Sequence, residues 1–168
     1  MTDKLRAQPL IQPFHLVLVE PEIPPNTGNV ARLCAATGSP LHLIGKLGFR
    51  TDAKAVRRAG LDYWHLVQVH QHDDLACFQE EFPETRLRFF SANTSRSYLE
   101  ADLRPGDALV FGRESVGLPR ELVAAHPDAT FAIPTLGPVR SLNVANAASI
   151  VLYEGLRRSG ALSKPYLG

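Results

Sequence analysis

The chain has 168 residues, 45% of them hydrophobic and 21% charged, with a formal net charge of +1; this fits one globular domain around a single core and excludes a disordered chain. So small a net charge excludes nucleic-acid binding driven by overall charge, and any attraction to a polyanion must come from a local basic patch. No apolar run approaches the ~18 residues of a membrane helix, and the two cysteines, Cys34 and Cys77, make no disulfide framework, so a reducing cytoplasm is the expected compartment.

Residues 1–13 are polar and proline-containing, lack a signal-peptide core, and read as a flexible N-terminal arm before a single domain over 14–168. Phe14–Glu20 reads as a strand. Pro24-Pro25 blocks earlier helix, Asn26 can cap a helix running to Thr37, and Gly38 can end it. Val30, Leu33, Cys34 and Thr37 make its inward stripe, with Asn29 and Arg32 outside it. Leu41–Gly45 and Leu66–Val69 read as strands, followed by His70 and His72. Zinc takes roughly four ligands and no Cys or His cluster joins this pair, so a polar strand end is the plainer reading and no metal is expected. A helix over Asp73–Glu81, strands at Leu87–Ala92 and Ala108–Gly112, a helix over Pro119–Ala125 and a strand at Thr130–Pro134 follow. The last helix, Asn143–Ser159, has the clearest period, with Val144, Ala147, Ala148, Val151, Leu152 and Gly155 on one face. Its small residues suit either core packing or a homodimer seam. Short Val-, Leu-, Ile- and Phe-rich strands alternating with helices predict an α/β domain, mainly a parallel sheet with helices on both faces.

Three polar, glycine-bearing segments follow strands, where open α/β sheets bind ligands. They are Pro24–Arg32 (PPNTGNVAR), Phe111–Pro119 (FGRESVGLP) and Ile133–Asn146 (IPTLGPVRSLNVAN). Gly112 and Gly117 have the spacing of a phosphate loop, but Leu118-Pro119 stands where that loop needs Lys-Ser/Thr. No G-x-G-x-x-G and no G-x-S-x-G occurs, which disfavours a dinucleotide site and an esterase. Together the segments resemble the three motifs of the SPOUT methyltransferases, over about Phe14 to Gly160. The compact form, with Glu20–Asn29 (EPEIPPNTGN) and Arg57–Tyr63 (RRAGLDY), is similar to the tRNA wobble-nucleotide 2′-O-methyltransferases of that class.

The resemblance implies a deep C-terminal trefoil knot, S-adenosylmethionine as cofactor with S-adenosylhomocysteine as product, a homodimer, and the anticodon stem-loop of a leucine tRNA as substrate. It implies that Asn26, Arg32, Glu114, Ser141 and Asn143 are active-site residues. Phe90, Gly112, Ile133, Ser141 and Leu142 would hold the cofactor. Arg32 is a poor ordinary base, because a guanidinium pKa exceeds ~12; it would either stabilise a developing alkoxide or be deprotonated transiently. Lys46, Arg50, Lys54, Arg57 and Arg58, opposed only by Asp52, form the densest basic stretch. They suit phosphate contacts, with Tyr63 or Trp64 available to stack on a base, or else a solvated loop. Rival readings are a knot enzyme for another tRNA or ribosomal RNA position, and a catalytically silent RNA-binding module.

Overall fold

A computed structural model describes residues 3–52, 54–55 and 63–167; Arg57, Arg58 and most of the RRAGLDY stretch lie outside the described residues. Six parallel strands form the main sheet: β2 (His15–Val19), β3 (Leu41–Ile44), β4 (Val69–His72), β5 (Leu87–Phe90), β6 (Ala108–Phe111) and β7 (Thr130–Phe131). Their order is β4-β3-β2-β6-β5-β7. Strand side chains alternate faces. Leu16, Leu18, Leu41, Leu43, Leu109 and Phe111 enter one core, closed by α1 (Pro24–Thr37) and the last helix, α4 (Val144–Arg158). Val17, Val19, Ile44, Phe89 and Val110 enter the other. Phe78 of α2 (Leu75–Glu81) and Leu122 and Val123 of α3 (Arg120–Ala125) close that face. Helices therefore cover both faces of a parallel sheet, as the apolar strands require.

Several boundaries differ from the sequence reading. Helix α1 begins on Pro24 and Pro25 themselves, where a missing N–H costs nothing, and its N-cap Ile23 makes no side-chain bond. Asn26 is thus buried within the first turn and is not the cap. Gly38 ends the helix as expected, in the left-handed conformation with φ 69°. Asp74 caps α2 by accepting from the Cys77 N–H at 2.8 Å. β4 spans Val69–His72, because Trp64–Leu66 is a short 3-10 turn with Leu66 60% exposed.

The histidines of β4 are therefore ladder residues. His15 Nδ1 lies 2.9 Å from His42 Nε2, and His42 Nδ1 lies 3.1 Å from His72 Nε2. His72 Nδ1 in turn faces Glu81 Oε2 at 3.4 Å. The histidines bond to one another in series, and among the described residues no group of three or more His, Cys, Asp or Glu is placed to hold a metal ion. Burial, and then the neighbouring His15, His70 and His72, push His42 down to about 2.

The N-terminal arm is tied down over Leu5–Arg6 (β1), which pairs antiparallel with Tyr166–Leu167 (β8). The small-residue face of α4 is used within the chain. Ala148, Val151 and Leu152 are fully buried, and a Cβ on Gly155 would meet Phe14 Cζ at 2.9 Å. That stripe packs against α1 and β6 within the chain, the core-packing reading of the two that the sequence left open. The outer face of α4 keeps Ile150 and Tyr153 exposed.

Candidate active site

Beyond the carboxyl ends of β2 and β6, two loops exchange carboxylates. Glu114, in the loop after β6, accepts from the backbone N–H of Glu22 at 2.8 Å and of Ile23 at 3.1 Å. Glu22, in the loop after β2, accepts in return from Ser115 N–H and Ser115 Oγ, each at 3.0 Å, and from Arg113 Nη2 at 2.9 Å. These bonds from Ser115, and then from Arg113, hold the Glu22 carboxyl below the usual carboxylate range. Glu20, at the junction of β2 and its loop, carries a left-handed φ of 48°, a conformation uncommon outside glycine.

The start of α4 joins the lattice. Asn26 Nδ2 donates to Glu114 Oε1 at 3.3 Å, and Asn143 Nδ2 donates to Asn26 Oδ1 at 2.9 Å. Asn143 Oδ1 caps α4, accepting from Ala145 and Asn146 N–H at 2.9 and 3.3 Å. An ionised carboxylate only accepts, so Glu114 fixes which way the Asn26 amide faces, and Asn26 then fixes Asn143. The buried Asn26 amide meets both partners at once, donating from its NH₂ to Glu114 and accepting at its oxygen from Asn143.

The turn carrying Glu114 closes through Arg113 N–H to Gly117 O at 3.2 Å and Gly117 N–H to Arg113 O at 2.8 Å. A Cβ on Gly112 would lie 2.2 Å from both Gly117 C and Leu118 N. Gly112 is thus required by the chain's own backbone folding back on it.

A cleft of about 830 Å³ opens beside this lattice. Asn26, Glu114, Ser141 and Asn143 line it, as do Phe90, Gly112, Ile133 and Leu142. Its floor is aromatic, with the Phe90 and Phe111 rings stacked at 5.2 Å between centroids. Ser141 sits exposed on the rim and takes no part in the lattice.

Arg32 alone of the expected active-site residues is outside the lining. It lies on the exposed side of α1, its Cζ 4.7 Å from the centre of the Tyr63 ring. Lys46, Arg50 and Lys54 are exposed and also outside the cleft, and Arg50 Nε is paired with Asp52 at 2.8 Å. Trp64 is half-buried and packs against the core. Sequence reasoning missed Glu22. Its only signal was a carboxylate immediately before the Ile-Pro-Pro run, and its partners Arg113 and Ser115 lie more than 90 residues away.

A parallel α/β domain whose loops after β2 and β6 bond to each other beside a cleft is the arrangement that the resemblance to the SPOUT methyltransferases implies. Residues 13–153 match the model of the SpoU rRNA Methylase family, and the chain belongs to that family. A tRNA (cytidine(34)-2'-O)-methyltransferase of Saccharophagus degradans is 47% identical over 150 residues, covering 88% of this chain and 96% of its own. The Escherichia coli K12 protein of the same name is 43% identical over 148 residues, covering 88% and 94%. A solved structure concerned with the 2-OH methylation of C/U34 on tRNA superposes with a TM-score of 0.80 at 50% identity, covering 88% of this chain and 96% of that one.

Proposed function

We propose that the protein transfers a methyl group from S-adenosylmethionine to the ribose 2′-hydroxyl of the wobble nucleotide, cytidine or uridine 34, of leucine tRNAs, as a knotted homodimer in the cytoplasm. The observation that carries this reading is the lattice of Asn26, Glu114 and Asn143 set at the edge of an aromatic-floored cleft. Relatives of 43% and 47% identity that bear this activity by name support the tRNA substrate.

The cleft fits the cofactor. Its volume of about 830 Å³ falls within the range of small-molecule sites. Phe90 and Ile133 offer apolar faces to adenine, and the main chain at Gly112 and Leu142 offers hydrogen-bonding groups to the nucleoside. When bound, S-adenosylmethionine supplies a methyl group already activated on a sulfonium, leaving S-adenosylhomocysteine. The protein's own work is then alignment and management of one proton. Asn26 and Asn143 hold Glu114 and the start of α4 rigid, and Ser141 on the rim can donate to the incoming ribose. Arg32 stabilises the oxygen as it becomes an alkoxide, while a phosphate or water takes the proton.

Since Arg32 stands outside the cleft of its own chain, dimerisation that sets the exposed face of α1 from one copy over the cleft of another would supply it. Lys46, Arg50 and Lys54, with Arg57 and Arg58, would grip the anticodon stem-loop. No metal is needed for this chemistry. Calorimetric titration with S-adenosylmethionine should show saturable binding, abolished by filling the cleft with Ile133→Trp. Lack of binding both with and without tRNA would leave a silent RNA-binding module.

A further inference from the structure

We propose that Tyr63 is a positioning residue for Arg32, its ring serving as the platform that holds the guanidinium in its working orientation; this rests on the catalytic role proposed for Arg32. The Arg32 Cζ stands 4.7 Å from the Tyr63 ring centre, inside the ~6 Å range in which the ring face attracts a cation. An arginine on an exposed helix face otherwise spreads over many rotamers, and holding one of them costs entropy.

The platform is itself anchored to the helix that carries Arg32. Leu66 N–H donates to Tyr63 O at 3.0 Å and Val67 N–H to Trp64 O at 3.3 Å, closing the turn. Trp64 and Val67 pack on the core that contains Val30, Ala31 and Cys34 of α1. The turn that carries Tyr63 is thus packed on the same core as the helix that carries Arg32.

The choice of an aromatic partner matters chemically. A carboxylate would hold a guanidinium by occupying its N–H groups and cancelling its charge. A ring face holds the plane of the guanidinium while leaving its edge donors and its charge free. Those are the properties required of a group that meets an oxygen only as it becomes negative. The phenol hydroxyl has no part in this, so phenylalanine should substitute.

The test is steady-state methylation of tRNA by Tyr63→Phe and Tyr63→Leu, each alone and combined with Arg32→Ala. Tyr63→Phe should retain kcat within about twofold, because the ring face remains. Tyr63→Leu should lower kcat by about tenfold with KM for tRNA and cofactor affinity unchanged. In the Arg32→Ala background Tyr63→Leu should add nothing further; where that background has no measurable turnover, the split between kcat and KM decides alone. If Tyr63→Leu does not fold, Tyr63→His replaces it. Its kcat should fall more steeply than wild type as pH drops through about 6.5, when the new imidazole gains a charge facing Arg32.

An unchanged kcat in Tyr63→Leu, or an unchanged pH profile in Tyr63→His, beside an inactive Arg32→Ala would overturn the proposal. A raised KM for tRNA at constant kcat would also overturn it, and would make Tyr63 a base-stacking residue instead. Wild-type turnover in Arg32→Ala would instead remove the role of Arg32, a failure distinguishable from that of the platform.

Discussion

Gly112→Ala is the smallest change that should damage the site without touching any lattice side chain. The added Cβ would lie 2.2 Å from Gly117 C and Leu118 N, and 2.5 Å from Gly117 O. All three contacts are backbone, so no flexible side chain can swing away, and the turn must open by more than an ångström. Overpacking of this kind costs about 1–3 kcal/mol, which for a chain of this size lowers Tm by roughly 2–12 °C. The same opening carries Glu114 and Ser115 away from Glu22 and Ile23. Thermal unfolding by circular dichroism, with calorimetry for S-adenosylmethionine, should show a lower Tm and weaker cofactor binding together. A Tm within about a degree of wild type, with unchanged cofactor affinity, would refute the claim that the returning backbone presses on Gly112.

Asn26→Asp sets a second carboxylate where Asn26 Nδ2 now donates to Glu114 at 3.3 Å; stability at neutral pH should fall by about 1–3 kcal/mol and partly recover on acidification, as protonation restores a donor. Arg32→Ala should lower kcat by about 100- to 1000-fold with cofactor binding intact, and Arg32→Lys should recover only part of it; activity in Arg32→Lys that climbs with pH towards about 10 would make the residue a base instead. The ring of His42, faced by His15, His70 and His72 with Glu81 beyond, resists protonation, chiefly through burial, as do His15 and His72. The unfolded chain then binds more protons than the folded one below the ordinary histidine value of about 6.5, so stability is present above that pH and falls as pH drops below it. Melting curves from pH 7.5 to 5 should show this slope, and His42→Leu should flatten it. Burial pushes the Cys34 thiol up to about 12, so alkylation of the native protein should spare Cys34 until unfolding.

The parallel sheet and its two helical layers were legible because β2, β3, β5 and β6 are short apolar runs and each long helix keeps a 3.6-residue stripe. Boundaries failed where the deciding partner was remote. Val-His-Gln-His of β4 has little apolar signal and is a strand because its histidines meet His42 of β3. β1 and β8 are two-residue strands with exposed side chains, too short for any pattern. The small-residue face of α4 could not declare its partner, since Ala148 and Gly155 suit α1 and Phe14 as well as they would suit a second chain. At the site, the motif residues were readable by type and by their place after strands, and the cleft gathers most of them. Asn26 was misread as a cap because capping is the commoner local use of asparagine. Glu22 and Arg32 show the same limit in opposite directions: the lattice reaches Glu22 across the sequence, whereas Arg32, although in the motif, stands apart from the cleft.

The central claim is methyl transfer to the ribose of nucleotide 34. The direct measurement is incubation of unmodified leucine tRNA with the protein and isotopically labelled S-adenosylmethionine, followed by nuclease mapping with mass spectrometry. The expected result is a single labelled 2′-O-methyl group on nucleotide 34, formed about 100- to 1000-fold more slowly with Arg32→Ala. Label on the base or at another position, or no transfer to leucine tRNA alongside transfer to ribosomal RNA, would contradict it.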